Sequence, residues 1–209
     1  MPLRISHVRY TIRLRVSSLT VQLSIIHANS PDILAPSMAD LIVKLYDLPA
    51  PSTTRVLEAV NIRRGMAYEK HIILAWVARH FGSAWASECD VAFSNCPISC
   101  HVATLDGELI GFACYDSACR GFFGPIGVAQ THRGRGAGRE LLRSCMYQMK
   151  SLGYGYAIIG GAGAQAFYAS SVGAIPIPGS SPGIYTDRLK APAELGKSPD
   201  AFPEPNSGG

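Results

Sequence analysis

The chain contains 209 residues, of which 47% are hydrophobic and 16% are charged, so it can bury the core of one globular domain. Its formal net charge is +4, and four of its arginines lie within the first fifteen residues. The rest of the chain is therefore close to neutral, so the charge balance alone does not argue for a nucleic-acid-binding protein. No apolar run approaches the roughly 18 residues of a membrane-spanning helix, so we expect neither nucleic acid nor a membrane as partner.

Residues 1–37 precede the region that we expect to fold. They are rich in arginine and contain no acidic residue before Asp32, which is typical of a transit peptide. However, apolar residues alternate from Tyr10 to Val16 as they do in a strand, and Met38 offers a second start of translation. We therefore expect a disordered extension or an artefact of start-site choice, and neither organelle targeting nor a secretory signal.

The first predicted elements are one strand and three helices. Residues 41–48 are typical of a strand that ends at a proline. Helices are predicted over 52–62 and 69–81 from their capping residues and apolar spacing. A further helix starts near residue 83 and ends before Pro97.

A hairpin follows these helices. Residues 98–105 and 109–115 are rich in strand-forming side chains, and they flank Asp106-Gly107, which is a strong signal for a two-residue hairpin turn. A third strand, over residues 121–128, leads into a glycine-rich loop. The sequence therefore predicts three consecutive antiparallel strands before that loop.

The loop from Val128 to Arg139 joins this strand to an amphipathic helix that begins within the glycines and ends near Gly153. A helix start exposes unpaired N–H groups at the positive end of the helix dipole. The glycines at 134, 136 and 138 allow backbone to approach a ligand without an intervening Cβ. The loop is therefore predicted to bind an anion, most simply a phosphate group. A dinucleotide-binding G-x-G-x-x-G is excluded by Arg139, and a Walker A loop by the missing G-K-[ST] ending.

A strand over 154–159 and an edge strand from Ile175 complete the pattern. We predict an α/β domain over residues 38–190 with a mixed, mainly antiparallel central sheet and flanking helices. Residues 191–209 are rich in Pro, Gly and Ser, so we expect a disordered tail.

Two of these segments resemble the GNAT-type N-acetyltransferases. Arg133-x-x-Gly136-x-Gly138 is similar to the pyrophosphate loop of that superfamily, Arg/Gln-x-x-Gly-x-Gly/Ala, although Gln130 stands where Pro is common. Phe167-Tyr168-x-x-x-x-Gly173, after the strand at 154–159, resembles its second signature, which is a short helix followed by a strand. The order and separation of the two segments also match, and the resemblance covers roughly residues 38–190, as in the bacterial-type single-domain members.

The resemblance implies the GNAT acyl-CoA N-acyltransferase fold and acetyl-CoA as co-substrate, without a metal. It implies transfer of the acetyl group to a primary amine by direct attack in a ternary complex. The acceptor is then a small-molecule or peptide amine, and the oligomeric state stays open. A non-catalytic acyl-CoA-binding or sensing module is the alternative.

The resemblance also assigns roles to residues. An amide near Gly127 or Val128 would polarise the thioester carbonyl, and Tyr168 would give a proton to the departing thiolate or donate a hydrogen bond to its sulfur. The positions expected to bind CoA are Ile126, Gly127, Val128, Arg133, Gly134, Arg135, Gly136, Ala137, Gly138 and Arg139.

The general base is chosen by residue type and by position along the chain. Glu88 is the first candidate because the resemblance implies that its helix lines the acceptor side. Asp116, at the end of a strand, is the second, and Asp90 and His101 are further candidates. Aromatic side chains could line an apolar acceptor site, and the candidates are Trp85, Phe93, Tyr115 and Phe123.

Six cysteines raise the question of a metal. Cys96, Cys100, Cys114 and Cys119 offer four ligands for zinc, but structural zinc sites usually have more closely spaced cysteine pairs. Several of these cysteines also lie in apolar runs, where Cys behaves as a small hydrophobic residue. We therefore expect no metal and a reduced, cytoplasmic protein.

Overall fold

In a computed structural model of the chain, side chains are described for residues 38–50, 60–187 and 189, and two strands are described nearer the N-terminus as backbone. The chain divides into two units, residues 1–36 and 37–209. The first contains β1 (Tyr10–Val16) and β2 (Leu19–Ile25), which pair antiparallel from Tyr10↔Ile25 to Val16↔Leu19. The predicted alternation over 10–16 thus coincides with β1. Disorder or a start-site artefact for residues 1–37 stays a prediction, and the tail at 191–209 lies outside the described residues.

The second unit contains a seven-stranded sheet with the order β4-β5-β6-β7-β8-β3-β9. In the described residues, β7 and β8 pair parallel and the other neighbours pair antiparallel. The predicted mixed, mainly antiparallel sheet is therefore confirmed. Its strands are β3 (Leu41–Lys44), β4 (Val60–Arg64), β5 (Cys100–Leu105), β6 (Glu108–Tyr115), β7 (Phe122–Val128), β8 (Tyr156–Ile159) and β9 (Ile175–Pro176).

Helices cover both faces of this sheet. They are α1 (Lys70–Phe81), α2 (Ser83–Ser94), α3 (Ala137–Ser151) and α4 (Gln165–Val172). On one face, α1 and α2 bury Ile73, Val77 and Ala92 against Phe112 of β6. On the other face, α3 buries its predicted apolar stripe, and α4 packs beside that core. No helix in the described part of the chain combines the length and the apolar character needed to cross a bilayer.

The structure corrects two predicted elements. The strand predicted over 41–48 ends at Lys44 and continues as a 3-10 turn over Leu45–Asp47. The helix predicted over 52–62 is wrong at its end, because Val60–Arg64 is a strand paired with β5, and residues 51–59 lie outside the described residues. Val60 and Ile62 alternate with Asn61 and Arg63, a period of two that suits a half-buried strand.

The hairpin turn is as predicted. Asp106 and Gly107 connect β5 to β6 and have φ values of 50° and 82°. Both central residues of a type I′ turn need positive φ, which Asp and Gly adopt at low cost.

Candidate active site

A notch opens in the sheet between β7 and β8. Their parallel pairing consists of Phe122↔Ile158 and Phe123↔Ile159, after which β8 ends. β7 continues from Gly124 to Val128. Over this length, no described strand pairs with the β8 side of β7, so the amides on that side are left for another molecule to bond.

A β-bulge decides which amides face the notch. Tyr115 pairs with Phe123 but Ala113 pairs with Ile126, so β7 has one extra residue, at Gly124-Pro125. Before the bulge, the Phe122 carbonyl accepts a hydrogen bond from the Asp116 amide at 2.8 Å on the β6 side. Pro125 suits this position because it has no N–H to donate to a neighbouring strand.

After the bulge, the alternation of amides is reversed. The Ala129 amide donates to the Ile110 carbonyl at 2.9 Å, toward β6. Because successive amides of a strand point to opposite edges, the N–H groups of Ile126 and Val128 face the notch, and that of Gly127 faces β6. Of the three positions predicted to bind CoA here, Ile126 and Val128 fit, and Gly127 does not offer its amide.

Gly127 has a different role, which is to admit an aromatic ring. A Cβ at this position would lie 2.4 Å from Cζ of Phe81, much closer than van der Waals contact. The Phe81 ring stacks on Trp85 at a centroid separation of 5.2 Å, and both rings pack against Phe112. The end of α1 and the start of α2 therefore cover β7 with an aromatic surface on this face of the sheet.

At the end of β7, the glycine loop leads directly into α3. Gly134 and Gly136 have φ values of 76° and 90°, which favour glycine, and a Cβ at either would meet no atom within 4 Å. Gly136 is the N-cap and provides no side-chain cap. The first helical bond runs from the Glu140 amide to the Gly136 carbonyl at 3.1 Å.

The amides of Ala137, Gly138 and Arg139 precede that bond, so they have no partner within the helix. They carry the positive end of the α3 dipole, beside open space and next to the notch. These amides lie where the sequence predicts an anion cradle, and their arrangement suits a phosphate group.

The three arginines of the loop differ in their contacts. Arg133 donates from Nε to the Val128 carbonyl at 3.1 Å, so it ties the loop to the end of β7. Arg139 donates from Nε to Oγ of Ser171 on α4 at 3.4 Å. Arg135 is exposed, and its charge is available to an anion in the cradle.

Tyr168 lies on α4, beside the start of β7. Its ring packs edge-on against Phe123 and Phe167, with centroid separations of 6.5 and 5.1 Å. Burial raises the pKa of Tyr168 to about 12, so the phenol keeps its proton at neutral pH. Among the residues that the structure describes, none accepts or donates a hydrogen bond at its hydroxyl.

Glu88 lies on α2, one turn beyond Trp85 and on the opposite face of the sheet from Tyr168. It is half-buried, and desolvation raises its pKa. A carboxylate with a raised pKa is a better proton acceptor than an ordinary surface carboxylate. The structure thus places the two predicted catalytic side chains on opposite faces of the sheet.

The other predicted bases have structural contacts. Asp116 accepts hydrogen bonds from the Gly121 amide and the Tyr154 hydroxyl. Asp90 forms an exposed ion pair with Lys70. These two carboxylates therefore stabilise a turn and a helix surface, which leaves Glu88 as the stronger candidate.

His101 is buried against α3, so it is a poor candidate for a base at the notch. It is 5% exposed and faces α3, with Nδ1 2.8 Å from Oγ of Ser144. Its Nε2 is buried without a partner among the described residues. Burial, followed by the charge of Arg64, lowers the pKa of His101 to about 4 from 6.5.

This shift predicts a pH dependence of stability. The unfolded chain binds a proton at His101 below pH 6.5, whereas the folded chain resists it until about pH 4. The contribution of neutral His101 to the free energy of unfolding is therefore fully present above pH 6.5. About 3 kcal/mol of stability is lost as the pH falls toward 4. We expect wild type to lose about that much more free energy of unfolding than His101→Gln over this interval, measured by urea denaturation. Parallel pH profiles for the two proteins would contradict the assignment.

The predicted aromatic acceptor lining is not one surface. Trp85 and Phe93 pack in the core beneath α1 and α2. Tyr115 and Phe123 are buried in the core beneath α3, on the other face of the sheet. The sheet separates Trp85 and Phe93 from Tyr115 and Phe123. Of these four, we keep only Trp85 as a candidate for the acceptor lining, and it forms an aromatic surface with Phe81.

The cysteines also assemble differently from the quartet considered for zinc. Cys96 is exposed and Cys119 is partly exposed, whereas Cys100 and Cys114 are buried together with Cys89. Cys89 was absent from the predicted set. The sequence did contain a signal for Cys89, because a helical wheel of α2 places it on the same face as Ala92, and both residues are buried.

Comparisons with known proteins agree with this geometry. The model of the acetyltransferase (GNAT) family matches residues 70–174, about half of the chain. No curated protein sequence matches the chain.

Two solved structures share the fold at low identity. One is the glucosamine N-acetyltransferase region of a fungal multidomain GH3 β-N-acetylglucosaminidase, with 22% identity and a TM-score of 0.57 over 66% of this chain and 19% of that one. The other is a GCN5-related N-acetyltransferase from Sphaerobacter thermophilus, with 19% identity and a TM-score of 0.54 over 66% of this chain and 48% of that one. The chain therefore spans less than half the length of either protein, and the likeness concerns the fold.

Proposed function

Because this chain belongs to the acetyltransferase (GNAT) family, we propose that it transfers an acetyl group from acetyl-CoA to a primary amine of a small molecule or peptide. The observation that carries the proposal is the notch between β7 and β8, which lies next to the free amides at the start of α3. One side of the notch offers strand amides, and its end offers an anion cradle. A thioester joined to a diphosphate by an extended arm needs both.

In this proposal, the diphosphate of CoA binds at the α3 N-terminus. The amides of Ala137, Gly138 and Arg139 donate to its oxygens, and Arg135 adds charge. The pantetheine arm then extends along β7 in place of the absent strand partner, and it accepts hydrogen bonds from the amides of Ile126 and Val128. Gly134 and Gly136 permit the backbone to approach because they carry no Cβ.

The chemistry follows from this placement. The amine nitrogen attacks the thioester carbonyl, and an amide of β7 stabilises the oxyanion of the tetrahedral intermediate. The C–S bond then breaks and CoA leaves as a thiolate. The excess proton of the nitrogen passes to Glu88, directly or through water.

The high pKa of Tyr168 favours one of its two predicted roles. A phenol with a pKa of about 12 holds its proton more tightly than a thiol, whose ordinary pKa is about 8.5. We therefore assign Tyr168 as a hydrogen-bond donor that stabilises the leaving thiolate, and the thiolate takes its proton later from solvent.

Glu88 can be tested through the pH dependence of turnover. In the wild type, kcat/KM should fall on the acid side as Glu88 becomes protonated, at a pH above the ordinary carboxyl range because burial raises its pKa. We expect Glu88→Gln to lower kcat by at least about 100-fold, the usual contribution of a general base, and to remove that acid limb. Asp90→Asn, on the same helix, is the matched control and should leave both unchanged. An acid limb that persists in Glu88→Gln would remove Glu88 as the base.

The activity itself is tested by release of free CoA thiol from acetyl-CoA in the presence of a panel of amines. The panel should contain aminosugars, polyamines, aminoglycosides and lysine-containing and N-terminal peptides. Amine-dependent thiol release with a matching acetylated product supports the enzyme. Stoichiometric CoA binding without turnover on any amine would favour the non-catalytic acyl-CoA-binding module instead.

A further inference from the structure

Three cysteine thiols meet in the core beneath α1 and α2. Cys89 comes from α2, Cys100 from β5 and Cys114 from β6, and their Sγ atoms all lie within 4.8 Å of one another. The Sγ atoms of Cys89 and Cys100 are 3.8 Å apart. All three residues are fully buried. The cluster therefore offers three soft ligands, from three separate elements, around one point.

A bulge in the β5–β6 hairpin creates this arrangement. Near the turn, Leu105 pairs with Glu108 and Thr104 with Leu109. The register then shifts by one residue, so that Cys100 pairs with Cys114. Directly paired residues share a face of the sheet, and this face is the one on which α2 places Cys89.

The spacing suits a single ion bonded to all three sulfurs. For ion–sulfur bonds of about 2.3 Å, three sulfurs around one ion lie roughly 3.4 Å from one another if the ion is pyramidal and roughly 4 Å if it is planar. Structural zinc takes four ligands, and in the described part of the chain this cluster supplies three. A three-coordinate ion fits better.

The surroundings determine the charge that the site tolerates. The cluster packs among apolar side chains, which include Ile73, Val77, Val102 and Phe112. Three thiolates around a divalent ion would carry one uncompensated negative charge, and a buried unpaired charge is costly. Three thiolates around a trivalent ion form a neutral complex.

We propose that Cys89, Cys100 and Cys114 form a binding site for one trivalent, three-coordinate thiophilic ion of the arsenic(III) type. Arsenous acid, As(OH)₃, reacts with three thiols to form three As–S bonds and release three water molecules. Each thiol proton leaves with one hydroxide of the acid, so no oxidant, reductant or counter-ion is needed. Thiolate ligands select soft ions of this kind.

The experiment uses the reduced full chain with one equivalent of arsenite, added either to the folded protein or during refolding from denaturant. Intact-mass analysis should show a gain of one arsenic atom less three hydrogens. Thiols titrated after unfolding in the presence of the ion should fall from six to three. The melting temperature should rise, because the ion binds the folded state.

Cys114→Ala and Cys145→Ala provide a matched pair. Both thiols are fully buried, but Cys145 lies on α3, beneath the other face of the sheet. We expect Cys114→Ala to weaken arsenite binding by more than about 100-fold and to abolish the thermal shift. Such a loss exceeds that caused by changing a residue that only contacts a ligand. Cys145→Ala should bind like wild type. Less than a tenth of an equivalent bound by wild type through both routes, or equal binding by both variants, would overturn the proposal.

Discussion

Replacement of Gly136 by leucine is expected to weaken the binding of CoA by more than about 100-fold. The wild-type Cα faces open space at the mouth of the cradle, and φ there is 90°. A leucine side chain would fill the volume in which the diphosphate meets the first amides of α3. Losing about 3 kcal/mol of charge-assisted hydrogen bonding corresponds to a Kd increase of more than about 100-fold, which isothermal titration calorimetry can measure.

The opposite end of the same helix supplies the control. Gly153 has a φ of 92°, and a Cβ there also meets no atom within 4 Å. Gly136→Leu and Gly153→Leu should therefore lose similar stability, about 1–2 kcal/mol, from the left-handed backbone conformation. We expect Gly153→Leu to bind CoA normally. If both variants bind CoA equally, the cradle is not the diphosphate site.

Removal of the Tyr168 hydroxyl is the second change with a large expected effect. Tyr168→Phe keeps the ring contacts with Phe123 and Phe167 and removes the donor to the leaving thiolate. A hydrogen bond to a charged group contributes about 1.5–3 kcal/mol, so kcat should fall by roughly 10- to 100-fold. The Kd for CoA should change by less than about threefold, because the interaction forms as the C–S bond breaks.

Tyr154→Phe serves as the comparison for this change. The Tyr154 hydroxyl donates a hydrogen bond to Asp116 at 2.8 Å, so its loss should lower stability without a specific loss of turnover. Steady-state kinetics on the two variants separates the effects. Equal kcat values for Tyr168→Phe and wild type would remove Tyr168 from the mechanism.

The parts of the site that could be predicted from sequence are those set by local chemistry. The start of α3 within the glycines follows from the apolar spacing of the helix and from glycines that tolerate positive φ. The structure confirms this start, and Gly134 and Gly136 have positive φ. The hairpin at Asp106-Gly107 follows from turn chemistry in the same way. In both cases, a few adjacent residues determine the conformation.

The parts that could not be predicted depend on strand register. The bulge at Gly124-Pro125 reverses the amide alternation, which turns Ile126 and Val128, and not Gly127, toward the notch. A second bulge brings Cys100 opposite Cys114. A one-residue shift changes every partner beyond it, and neither the position nor the effect of a bulge is visible in residue type alone.

Contacts between distant segments were equally hidden. The need for glycine at 127 comes from the Phe81 ring, which a neighbouring helix supplies. The separation of Trp85 from Tyr115 by the sheet also depends on which face each element covers. The spacing of aromatic residues predicts a buried side, but it does not assign that side to a particular face.

The most direct test of the account is a pair of calorimetric titrations of the full chain, one with CoA and one with pantetheine, which lacks the diphosphate. The account predicts one CoA bound per chain and an affinity at least about 100-fold weaker for pantetheine, because the α3 amides then have no anion to hold. No heat with CoA, or equal affinities for the two ligands, would contradict it.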